Sequence, residues 1–129
     1  MNMIPVPVSA GEVLDKLTIL EIKSERMDDP GKLANVRREL DLLQAHWRQA
    51  VVEDATVRRL HAKIKAINET LWEIEDDIRE CERNSDFGPH FTDLARRVYK
   101  TNDQRSKAKK EVNIYLGSHI MEEKSYRDY

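Results

Sequence analysis

Residues 57–81 read VRRLHAKIKAINETLWEIEDDIREC. Along this stretch Val57, Leu60, Ile64, Ile67, Leu71, Ile74, Ile78 and Cys81 recur at alternating steps of three and four. Eight consecutive matches to an a/d heptad predict one long helix with a single apolar seam and coiled-coil-like packing. The stretch before it behaves alike, since Leu33, Val36, Leu40, Leu43, Trp47 and Ala50 keep the same rhythm. Neither glycine nor proline occurs between Lys32 and Phe87. The heptad phase nevertheless slips between Ala50 and Val57, and Asp54 stands where an N-cap would. The expectation is a tight antiparallel hairpin of two helices. Its rival is one unbroken helix with a stammer, which would need dimerisation to cover its seam.

Working outward, the breakers fall at Pro5, Pro7 and Gly11, at Pro30-Gly31, at Gly88-Pro89 and at Gly117. The spaces between them are therefore read as helices. A first helix runs from Ser9 or Ala10 to Met27, with Ser9 as N-cap and Glu12 in capping-box register. Asp29-Pro30 opens the second helix. A last helix runs from near Pro89 to a glycine stop at Gly117, on a stripe of Phe91, Leu94, Ala95, Val98, Val112 and Leu116. The fold class is all-α: an up-and-down antiparallel four-helix bundle with coiled-coil-like heptad seams. One domain spans residues 1–129, with an extended N-terminal strap (1–8) and a C-terminal tail (118–129) packed across the bundle. In the first helix Leu14, Ile19 and Ile22 point away from Val13, Leu17 and Leu20. Such a helix is either central in the bundle or shared with another subunit.

The chain has 129 residues, with 22 Lys+Arg against 24 Asp+Glu and a net charge of −2. That balance argues against nucleic acid as a partner, because phosphate neutralisation needs a basic face. One cysteine excludes an internal disulfide and suits a reducing compartment. No apolar run is long enough for a membrane span, and residues 1–8 carry no positive charge of the kind a secretion signal needs. A soluble, cytoplasmic protein without a cofactor is expected.

Chemistry is expected where the last helix interrupts its own stripe. Asn102, Arg105 and Lys109 fall at angles that continue the apolar side. Antiparallel pairing through residues 84–90 sets Asn102 level with residues 72–75 and Arg105 level with Asn68. This points to a cluster of Glu75, Asn68, Asn102 and Arg105, with Lys109 one turn away. As a structural device the cluster fixes helix register. As a site it is an anion pocket in which Arg105 binds and Glu75 is a general acid or base. Glu69, Glu73, Asp76 and Glu80 form a second constellation, four carboxylates on one helical face. They are read as a solvated acidic face, neutralised by Arg37 and Arg38, rather than as ligands for a divalent metal.

Five stretches carry a resemblance. They are LWEIEDDIRECER (71–83) followed by DFGP (86–89), VYKTNDQR (98–105), and GEVLDKLTIL (11–20) with EEKSY (122–126). Together these resemble a small bacterial family of uncharacterised all-helical proteins, a domain of unknown function, over nearly the whole chain. The resemblance implies a bacterial cytosolic origin and supplies no catalytic residues. The first helix is also similar to that of all-helical chorismate mutases in its Leu-x-x-Leu rhythm ending at Glu25-Arg26, but the arginine expected early in it is absent. The carboxylate-rich third helix resembles those of all-α nucleotide pyrophosphohydrolases, which hold magnesium, yet the second acidic motif is missing.

The functional expectation is a non-enzymatic helical module for protein interaction or self-assembly, a homodimer or higher homo-oligomer. The alternative is a small all-α enzyme or anionic-ligand-binding bundle built on the polar core residues.

Overall fold

The computed structural model describes residues 2–129, so Met1 of the strap lies outside the described residues. Four helices follow one another: α1 (Ala10–Arg26), α2 (Pro30–Ala50), α3 (Ala55–Arg83) and α4 (Pro89–Leu116). No strand occurs among the described residues. Each start is chemically marked. The Ser9 hydroxyl accepts from Glu12 N, Asp29 from Lys32 N and Asp54 from Val57 N, while Pro89 opens α4 directly after Gly88. Each such cap satisfies a helix-end amide that would otherwise lack a partner. Gly117 closes α4 in the left-handed region at φ 64°, and Ser118 N–H returns to the Asn113 carbonyl at 2.8 Å. That closure is a Schellman turn.

The ion pairs fix the directions. Glu21, Glu25 and Arg26 meet His61, Lys65 and Glu69 in ascending order, so α1 and α3 run parallel. Lys63 meets Glu111 while Asn68 meets Arg105, so α3 and α4 run antiparallel. Up-and-down alternation results, in an all-α four-helix bundle.

The helices do not share the interior equally. α1 packs against all three others, and α3 packs along α4. α2 packs against α1 and, among the described residues, against no other helix. Residues 51–54 do break the chain between α2 and α3, which excludes a continuous helix. The two helices then diverge instead of closing into the expected side-by-side hairpin. Trp47 is buried in the core formed by Leu14, Leu17, Val57, Leu60, Ile64, Ala108 and Val112, and Leu40 and Leu43 of α2 pack partly buried against it.

The central position of α1 accounts for its apolar excess. Leu14, Leu17, Leu20 and Ile22 are all at most 2% exposed, and burying each contributes roughly 2 kcal/mol. Leu14 and Ile22 are thus covered within the chain, whereas Ile19 stays half-buried. The strap differs from expectation too, because Met3, Ile4, Val6 and Val8 are exposed rather than packed across the bundle. The tail is exposed but tethered, through Ser118 to Ala10 N, Glu122 to Lys109 and the Tyr129 ring on Tyr99.

Candidate functional site

A polar layer divides the interior into two apolar parts. The larger core lies toward the start of α3. A smaller cluster of Ile74, Cys81 and Leu94, with Ile78, Phe91 and Val98 beside it, fills the tip of the α3–α4 pair. Between them Asn68 is buried on α3, facing Thr101 to Arg105 on α4. The central line of α4 is carried by Leu94, Thr101, Ala108 and Val112, all buried. Asn102, Arg105 and Lys109 occupy its flank and are half-buried. The stripe read from sequence was therefore rotated slightly. Small side chains at 101 and 108 keep α4 close to its neighbours.

Asn68 is the hub. Its Nδ2 donates to Asp15 Oδ1 at 2.8 Å and to Thr18 Oγ1 at 2.9 Å, both on α1. Its Oδ1 accepts from Arg105 Nη1 at 3.2 Å, while Arg105 Nη2 donates to Asn102 Oδ1 at 2.7 Å. Lys109 donates to Glu12 at 2.7 Å and to Glu122 of the tail at 2.9 Å, and lies 4.0 Å from Asp15. Burial pushes the Lys109 ammonium down, but these carboxylates outweigh it and hold it above the usual lysine range. One network thus joins three helices and the tail. Three of the four residues expected to cluster are in it.

Glu75 is not bonded to Arg105. Its carboxylate pairs with Arg79 one turn along α3, because an i,i+4 partner on the same helix is always within reach. The core carboxylate is Asp15 instead, which is 6% exposed. Arg105 consequently has two amide oxygens as partners and, among the described residues, no carboxylate within 4 Å. Its guanidinium is oriented but not neutralised. It lines an open groove of about 500 Å³ with Ile19, Leu71, Trp72, Glu75, Arg79 and Asn102. Such a trough offers a cation at one end and apolar walls beside it.

The acidic face is neutralised from an unexpected helix. Arg26 of α1, not Arg37 or Arg38, stands 3.5 Å from both Glu69 and Glu73. Asp76 borders the Arg105 groove, and Glu80 meets Arg83 and Asn84. Among the described residues no three His, Cys, Asp or Glu are grouped to hold a metal ion. Cys81 is buried in the smaller core, and burial first, then Asp86, Asp77 and Glu80, push its thiol upward. A thiol held protonated is a poor nucleophile. No helix is long and apolar enough to cross a membrane.

No curated protein and no solved structure matches the chain. Residues 4–129, nearly the full length, match DUF6165, a family of unknown function, and the protein belongs to that family.

Proposed function

We propose that this bundle is a non-enzymatic helical binding module that takes a carboxylate-bearing group at Arg105. The observation that supports this reading is the guanidinium held by Asn68 and Asn102 with no carboxylate of its own. A structural ion pair would have used one. The groove's formal charges balance, with Arg79 and Arg105 against Glu75 and Asp76, which suits one acidic group better than a polyanion. Trp72, Leu71 and Ile19 suit an apolar or aromatic body attached to that group. The lone free thiol suits a reducing compartment such as the bacterial cytoplasm.

Benzoate is the direct probe. At about ten times its Kd it adds about 1.4 kcal/mol to the wild type by mass action. Arg105→Met should erase that gain while melting near the wild type without ligand. Equal stabilisation of both proteins by benzoate would refute the site.

A second reading, self-assembly, rests on α2. It packs along α1 and buries only Trp47, at its end, in the shared core, so Leu33, Leu40 and Leu43 are only half-covered and Leu42 is 42% exposed. The occupant proposed for this face is a second copy of the chain. Light scattering should return about twice the chain mass of 15.1 kDa, and Leu42→Glu should return the monomer. A wild-type monomer at micromolar concentration sinks this reading and leaves the Arg105 groove untouched.

A further inference from the structure

We propose a second binding site, for a phosphate-class oxyanion, in the groove where α2 and α3 part. This groove encloses about 370 Å³ between α1, the end of α2 and the start of α3. Leu17, Val57 and Trp47 form its apolar wall. Its charged lining is three cations, Arg48, Arg58 and Lys65, against two carboxylates, Glu21 and Glu53.

Among the described residues the internal pairing leaves two of those cations, Arg48 and Arg58, against one remaining carboxylate, Glu53. Glu21 is engaged by His61 at 2.6 Å and by Lys65 at 3.6 Å, and Lys65 is held further by Glu25 at 2.8 Å. Burial raises the Glu21 carboxyl, but His61 and Lys65 outweigh it and keep it below the usual range, hence ionised. Among the described residues neither Arg58 nor Arg48 has a carboxylate within 4 Å, although Arg58 donates to the Glu53 backbone carbonyl and feels the Asp54 carboxylate at longer range. Two guanidinium groups on different helices, both fork-shaped donors, match a tetrahedral dianion. Trp47 is 4% exposed, and its indole N–H is buried with no acceptor among the described residues. Its ring forms part of the groove wall, so it reports on what binds there.

The location gives the site a consequence. Apart from Trp47 in the shared core, α2 and α3 do not pack along their lengths, so an anion gripped by Arg48 and Arg58 would add a second tie between them. This proposal does not depend on Arg105, and the two grooves carry different tryptophans, Trp47 here and Trp72 there.

The test is a titration of the full chain with inorganic phosphate in phosphate-free buffer, at constant ionic strength held with chloride. The Trp47 indole resonance is followed by NMR. It should shift saturably, and backbone amides of α2 should exchange several-fold more slowly when phosphate is bound. Arg48→Gln and Arg58→Gln, both at exposed positions, should each weaken binding about tenfold, a loss of about 1.4 kcal/mol. Arg105→Met should leave the Trp47 titration unchanged. An unmoved Trp47 resonance, or the same titration in both Gln variants, overturns the proposal. So does a response that disappears with Arg105.

Discussion

Gly11→Ala should melt roughly 10 °C below the wild type, a loss of about 3 kcal/mol. A Cβ at this position would stand 2.4 Å from the Lys109 carbonyl oxygen and 2.9 Å from Asn113 Oδ1. The first of these is backbone, so relief requires α1 and α4 to move apart. That shift also strains the 2.6 Å bond from Gly11 N–H to Asn113 Oδ1. The helix-propensity gain of alanine, at most about 1 kcal/mol, does not offset this. Gly117→Ala is the control. It meets open space but must hold φ 64°, so only about 1 kcal/mol is expected from backbone strain. Thermal denaturation of the two variants separates them. Equal losses would mean that the α1–α4 crossing is looser than described.

Lys109→Met is expected to cost about 3 kcal/mol, because it leaves Asp15 charged in the core with no cation near it. The ammonium is almost enclosed, and methionine fills its space without replacing its charge. Glu122 gives this variant a second signature. Its carboxyl is held at about 2, against an ordinary 4.5, first by the Lys109 hydrogen bond and then by Lys124. A carboxyl depressed by folding stabilises the native state above about pH 4.5 and loses that contribution as pH falls toward about 2. Denaturant titrations from pH 5 down to pH 2 should therefore show a steep acid limb in the wild type. The limb should be shallower in Lys109→Met. An unchanged limb would show that the tail is not fastened at Glu122.

Much of this architecture was legible as punctuation. Ser9, Asp29-Pro30, Asp54, Pro89 and Gly117 mark the helix ends because each residue solves a local hydrogen-bonding or dihedral problem. What the seams face was not legible. Leu33 to Ala50 specify an apolar stripe, but a stripe does not say which helix covers it, and the direction of residues 51–54 decided against α3. The polar layer was half legible. Asn102 and Arg105 stood out by breaking an apolar period, and Asn68 by lying level with Arg105 in the antiparallel register. Asp15 did not, since a single carboxylate on a charged helix looks solvent-facing, and only the docking of α1 between α3 and α4 turns it inward. Glu75 lines the same groove as Arg105, Asn68 and Asn102 but pairs with Arg79, a local partner that needs no tertiary fold to form. The groove beside Trp47 left almost no mark in the sequence. His61 and Arg58 lie on the charged flank of α3, and nothing in their spacing signals that α2 will end beside them.

The meeting of Gly11 with Asn113 joins residues 102 apart in the chain. The α1–α2 and α3–α4 pairs need only short loops to form, whereas this junction closes almost the whole polypeptide. Loop-closure entropy rises with length, and long-range contacts slow folding. The two hairpins can thus assemble early, with seating of α1 against α4 as the step that sets the rate. The strap ahead of Ser9 and the tail beyond Ser118 both begin at that same corner. Whatever grips both ends at once holds closed the joint whose opening would begin to unravel the bundle.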